Sequence, residues 1–172
     1  MTTVDNLTVE LLRQTVNFNP ETGVFIWLKP RNTGRVKPGM KMGSMNHKGY
    51  MRCVLFGRSY LQHRLAWFYV HGEWPVDQLD HINGIKHDNR LSNLRPANSA
   101  ENQQNRAIAK NNAHGFAGAT FNKRKGRWQA HIGHQKVRKH LGYYDTPQAA
   151  HAAYLAAKSV LHTFSPHVRG AA

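Results

Sequence analysis

The chain has 172 residues with 24 Lys+Arg against 9 Asp+Glu, a formal charge of +15 and a pI near 10.5, so a polyanionic partner is the leading expectation. Its length allows one or two small domains. A single cysteine, Cys53, excludes a disulfide framework or a Cys-rich zinc site within one chain, and no apolar run reaches the length of a membrane span.

Near the N-terminus there is no signal-peptide core, which places the expectation in a reducing cytoplasm. Val9, Leu12 and Val16 recur at spacings of three and four behind Thr8, a good N-cap, and predict a short helix over 8–16. Asn19-Pro20-Glu21-Thr22-Gly23 reads as a turn, and Val24–Trp27 as a strand. The Gly-, Pro- and Lys-rich run 29–48 reads as a loop or irregular hairpin. Tyr50–Phe56 and Ser59–Leu61 form a hairpin across Gly57-Arg58, and Gln62–His71 a helix stopped by Gly72. A strand ending at Asp80-His81, a turn-rich loop to Asn89-Arg90-Leu91, an extended Asn93-Leu94-Arg95 and a helix capped by Asn98 or Ser99 fill residues 78–105. The short polar stretch 107–114 reads as a linker. Beyond it come three strands, Gly118–Phe121, Trp128–Ile132 and Val137–Leu141, with turns at Lys125-Gly126 and Gly133-His134. Thr146 and Pro147 then open an Ala-rich helix.

The chemistry is placed in 78–105. Phosphodiester hydrolysis needs a base to activate water, a cation to stabilise the phosphorane and leaving oxygen, and a scaffold that holds both. This stretch offers a histidine, a carboxylate and several amides. Strict strand alternation sends Asp80 and His81 to opposite faces unless the strand twists or ends there.

Asp80-His81, Gly84, Asp88-Asn89-Arg90-Leu91, Asn93-Leu94-Arg95 and Glu101-Asn102 with Asn105, preceded by His63-Arg64-Leu65-Ala66-Trp67 and Gly72-Glu73-Trp74-Pro75, resemble the HNH motif of the ββα-metal nucleases in the phage homing-endonuclease branch. The resemblance covers roughly 8–105. It implies His81 as the general base, Asn93 as the residue holding that base and its loop, and Asp80 and Asn102 as oxygen ligands of one divalent cation, Mg²⁺ or Mn²⁺. Asn102 stands where this motif usually carries its last histidine, which shifts the preference from zinc or nickel towards magnesium.

Residues 1–105 hold 13 Lys+Arg and 8 acids, whereas 106–172 hold 11 and 1, so the C-terminal part is the stronger phosphate seeker. Lys123, Arg124, Lys125, Arg127, Lys136, Arg138 and Lys139, interleaved with Trp128, are the candidate DNA contacts, on a sheet able to enter a major groove. Gly118, Gly126–Ile132, Leu141–Thr146 and Ala149-Ala150 with Ala153-Tyr154 resemble the plant ethylene-response-factor (apetala-type) DNA-binding domain. Ala117, Thr120 and Asn122 replace arginines common there, so the fold carries over better than the base readout.

The resulting expectation is an α+β chain: a ββα-metal HNH nuclease domain over 1–106, a linker over 107–114, and a three-stranded antiparallel sheet packed on one helix over 115–172. It is expected to hydrolyse double-stranded DNA as a phage homing or nicking enzyme, with no membrane and no obligate protein partner. Two rival readings remain: a non-catalytic DNA-binding regulator keeping the HNH fold, and an RNA-binding or RNA-cleaving protein.

Overall fold

A computed structural model describes residues 7–30, 34–104, 114–135, 137–162 and 164. Residues 105–113, which include Asn105 and most of the expected linker, and Lys136 lie outside the described residues. The chain is α+β and divides into two compact units, Met1–Ala97 and Asn98–Ala172.

In the first unit, helix α1 spans Val9–Thr15, and the Thr8 hydroxyl accepts from Leu11 N–H at 3.2 Å, as an N-cap should. Val16 is already extended (φ −137°) and starts β1, Val16–Asn19, which pairs antiparallel with β2, Val24–Trp27. The sequence reading missed β1: Val16 continues the helical spacing, so it hides the two-residue alternation that buries Val16 and Phe18. Asn19 folds the connecting turn by accepting from Glu21 and Thr22 N–H at 2.9 and 3.0 Å.

Within the expected loop 29–48 lies a two-residue strand, β3 (Ser44–Met45). With β4 (Met51–Leu55) and β5 (Arg58–Leu61) it makes a three-stranded antiparallel sheet. The β4–β5 turn sits one residue earlier than expected, at Phe56-Gly57, with φ of 48° and 79°. Two successive positive φ values match the twist of a tight hairpin, and Gly57 takes the second at no steric cost.

Helix α2, Gln62–His71, follows β5 directly and ends at Gly72 in the left-handed region. Its Leu65, Ala66 and Phe68 join Leu12, Val16, Phe18, Phe25, Trp27 and Leu55 in one core. Trp74 stacks on Phe68 at 4.3 Å and on Tyr60 at 5.7 Å, while the Arg64 guanidinium donates to the Pro75 and Asp77 carbonyls. These contacts fix the chain as it leads into β6, Gln78–His81. β6 pairs antiparallel with β7, Leu94–Ala97.

The second unit begins with α3, Ser99–Gln104. Asn98 Oδ1 accepts from Ala100 and Glu101 N–H, and Glu101 returns a carboxylate oxygen to Asn98 N–H at 2.8 Å, a reciprocal cap. Strands β8 (Ala119–Asn122), β9 (Arg127–His134) and β10 (Val137–Tyr144) form an antiparallel sheet in the order β10-β9-β8. β9 continues through the Gly133-His134 expected to turn, and Gln135 takes a positive φ of 49° instead. Helix α4, Pro147–Leu161, is capped by Thr146 and lies on the sheet over Ala130 and Ile132, both buried, with its own Ala150. A Cβ on Gly118 would overlap the Tyr154 ring, so glycine there sets how closely helix and sheet approach.

Candidate active site

Asp80 and His81 end β6, and both are buried. Their surroundings differ. Asp80 faces its cross-strand partner Arg95, whose Nη2 and Nε donate to Oδ2 at 2.9 and 3.1 Å. The His81 ring instead meets Asn89, His63 and Tyr50. Each side chain therefore keeps the separate neighbours that strand alternation gives it.

Asn89 is 1 % exposed, and its Oδ1 lies 3.3 Å from His81 Nε2. An amide oxygen can only accept, so Nε2 carries the proton and the basic lone pair sits on Nδ1. Burial is the main influence holding His81 below the usual histidine range, partly offset by the Asn89 bond and the charges of Asp80 and Asp88. The imidazole is consequently neutral near neutral pH, the form that accepts a proton.

The loop behind this ring is tightly tied. Asn93 Oδ1 accepts from Asn83 N–H at 3.0 Å and its Nδ2 donates to the Asp88 carbonyl at 2.8 Å. Asp88 accepts from Asn83 Nδ2 at 2.6 Å and is clamped by Arg90 Nη2 and Nε at 2.6 and 2.8 Å. The Arg90 bonds hold the Asp88 carboxyl down at about 2. Asn93 thus secures the loop, while Asn89 touches the histidine. Sequence reading placed Asn89 inside the motif but gave it no role; its one signal was a polar residue beside the apolar Leu91, and burial is invisible in that.

A second loop contact comes from the β1–β2 turn. Pro20 O accepts from Leu91 N–H at 2.9 Å, and a Cβ on Gly23 would overlap the backbone of Asn89 and Arg90.

Asp80 belongs to the first compact unit and Asn102, on α3, to the second. A carboxylate and an amide are hard oxygen donors, and among the described residues no group of three or more His, Cys, Asp or Glu gathers as a metal cage. A carboxylate such as Asp80 suits a cation that completes its shell with water and phosphate oxygens, as Mg²⁺ does.

In the second unit, residues opposite each other in the register share a face. Arg127 opposes Asn122, Gln129 opposes Thr120 and Tyr143, His131 opposes His140, and Gly133 opposes Arg138. Trp128 is registered with Phe121 and Tyr144, and Lys139 with Ile132, on the side of the buried Ala130. Alternation thus brings Arg127 and Arg138 together on the open face and leaves Trp128 and Lys139 on the other. Lys123, Arg124 and Lys125 are exposed in the β8–β9 turn, and Lys125 Nζ lies 4.1 Å over the Tyr143 ring.

Two histidines, His131 and His140, occupy that open face. Arg138 Nη2 donates to His131 Nε2 at 2.6 Å, and Gln129 Nε2 donates to His140 Nδ1 at 3.2 Å. Burial, then the charges of Arg138 and His140, hold His131 below the ordinary histidine range.

Residues 60–104 match the family model described as HNH endonuclease. The match begins at the end of β5, spans α2, β6 and β7, and ends in α3, so it contains Asp80, His81, Asn89, Asn93 and Asn102. It supports a nuclease-type function. No curated protein and no solved structure matches the chain. Among the described residues no helix is long and apolar enough to cross a membrane.

Proposed function

We propose that the chain is an HNH-type DNA endonuclease that hydrolyses phosphodiester bonds with one divalent cation. The observation that carries this reading is the His81 imidazole: neutral, buried at the end of β6, and set by Asn89 in one tautomer, inside the segment matching the HNH family. In this reading residues 78–105 carry the ββα-metal motif.

His81 removes a proton from the attacking water. Asn89 keeps the base lone pair on Nδ1, and Asn93 holds the loop that carries Asn89. Asp80, oriented by Arg95, would hold the cation, Mg²⁺ or Mn²⁺, with Asn102 as the further oxygen ligand that the sequence resemblance implies, and the cation would supply charge stabilisation for the phosphorane and the leaving oxygen. The basic residues of the second unit, whose sequence resembles an apetala-type domain, hold double-stranded DNA through its phosphates. A homing or nicking role for a phage enzyme in the host cytoplasm is the setting the sequence resemblance suggests.

Nicking of supercoiled plasmid with Mg²⁺, with Mn²⁺ and with chelator tests the proposal. Metal-dependent nicking is expected, with His81→Ala slower by roughly 10² to 10⁴ and binding DNA as wild type does. DNA binding without cleavage in any metal would instead favour a regulator that keeps the HNH fold.

A further inference from the structure

We propose that His63 is a positioning residue of the cleavage centre, holding the His81 ring edge-on from α2, with Tyr50 closing a third side; this rests on the nuclease reading of His81.

The three rings form a closed cluster. His63 and His81 stand 5.1 Å apart at an interplanar angle of 74°, Tyr50 and His63 are 5.4 Å apart, and Tyr50 and His81 are 6.0 Å apart. The His63–His81 contact is edge-to-face and therefore directional, because the positive edge of one ring seeks the negative face of the other, whereas the two Tyr50 contacts are tilted, at 43° and 48°. The Asn89 bond to Nε2 fixes one point of the His81 ring but leaves rotation about that point. A ring packed against it at a steep angle limits that rotation. Tyr50 is itself held: Lys86 Nζ lies 5.0 Å from its ring and donates to the Lys48 carbonyl at 3.1 Å.

His63 is 5 % exposed, and its Nδ1 is buried with no hydrogen-bond partner among the described residues. A buried imidazole nitrogen without a partner stabilises nothing in the scaffold and leaves its desolvation uncompensated. What His63 offers its neighbours is therefore the ring, and a flat apolar ring should serve the same end without that penalty. This separates positioning from two alternatives. A residue that merely fills space would tolerate any apolar substitute, and a residue acting directly through Nδ1 would tolerate no ring lacking the nitrogen.

The experiment compares wild type, His63→Phe, His63→Leu and His63→Ala as full-length proteins. Single-turnover cleavage at saturating DNA, DNA affinity, and the His81 ring C–H resonances are measured for each. The expected result is a rate at least tenfold lower for His63→Leu and His63→Ala, near-wild-type cleavage for His63→Phe, and one affinity throughout. The His81 resonances should broaden or shift in the Leu and Ala variants and not in the Phe variant. Wild-type rates in His63→Leu would overturn the proposal, because filling the space would then suffice. Equal loss in Phe, Leu and Ala would also overturn it and assign Nδ1 a direct task. Should wild type fail to cleave, the nuclease reading falls; the His81 resonances still show whether His63 fixes the ring.

Discussion

Two buried polar side chains around His81 are only half used. Asn89 gives its Oδ1 to His81, while its Nδ2 is buried without a partner. Replacing it by leucine keeps the branched shape and removes an unsatisfied donor but takes the acceptor from His81 Nε2–H, so the protein should stay folded with a loss of about 1–3 kcal/mol. Cleavage should nonetheless fall at least about tenfold, because the tautomer of His81 is then no longer set. Thermal unfolding together with single-turnover rates checks this, and an unchanged rate would remove Asn89 from the centre. His63 gives a second handle through pH. Burial, with smaller contributions from His81 and Arg64, lowers its pKa from the usual 6.5 to about 3. A depressed folded-state value means that the unfolded chain binds this proton first. The associated stability is fully present above pH 6.5 and is lost as pH falls towards 3. His63→Phe lacks this titration, so its unfolding free energy should decline less steeply than that of wild type over this window; parallel curves would contradict a neutral buried His63. At this scale the segment 78–105 read as the site from the sequence overlaps the stretch 60–104 that matches the HNH endonuclease model. Asp80, His81 and Asn93 are legible as types at a spacing. The burial of Asn89 and the contact of the His63 ring with His81 are not, because neither is carried by residue type or spacing.

Elements rather than single residues decide whether the loop between β6 and β7 holds its shape. That loop leans on the β1–β2 turn, from the far end of the first unit's sequence, through the Pro20–Leu91 hydrogen bond and the close approach of Gly23. Gly23 has φ +70°, which costs a side-chain-bearing residue about 1–3 kcal/mol, and a Cβ there meets backbone that cannot rotate away. Gly23→Ala should therefore destabilise by at least that amount and slow cleavage as well, since the backbone it displaces is that of Asn89. Gly57→Ala is the control. It also has positive φ (79°), but nothing lies within 4 Å of its Cβ, so it should lose stability and keep the rate. Equal rates in both variants would mean that the turn does not support the site. The helices were legible because capping is local chemistry: Thr8, Gly72, Asn98 and Thr146 all act where the sequence places them. β1 and β3 were not, since one hides behind a helical spacing and the other is two residues long, with its pairing supplied by β4.

At the scale of the whole molecule the governing quantity is charge and where the fold exposes it. Residues 106–172 carry 11 Lys+Arg with Asp145 as their one acid, and Arg127 Nε already donates to that acid at 2.9 Å. Both partners are exposed, so water and salt screen the pair and DNA phosphate can displace it. Sequence alone groups Arg127, Arg138 and Lys139 as one basic cluster; the register of β9 and β10 splits them, with Arg127 and Arg138 on the open face and Lys139 opposite the buried Ile132. If the open face meets duplex DNA, the two classes of cation must differ in salt dependence. Removing one cation–phosphate interaction lowers the slope of log affinity against log salt by about 0.9, so Arg127→Ala with Arg138→Ala should lower it by nearly twice that value. Lys139→Ala should leave the slope near wild type, and Asp145→Ala should raise affinity by freeing Arg127. All of these can be measured on one duplex across a salt series, with single-turnover cleavage of the bound complex alongside, where no change is expected. Equal slopes for Arg138→Ala and Lys139→Ala would show that both sides of β10 contribute alike, and the assignment of DNA to the open face would fail even with cleavage intact.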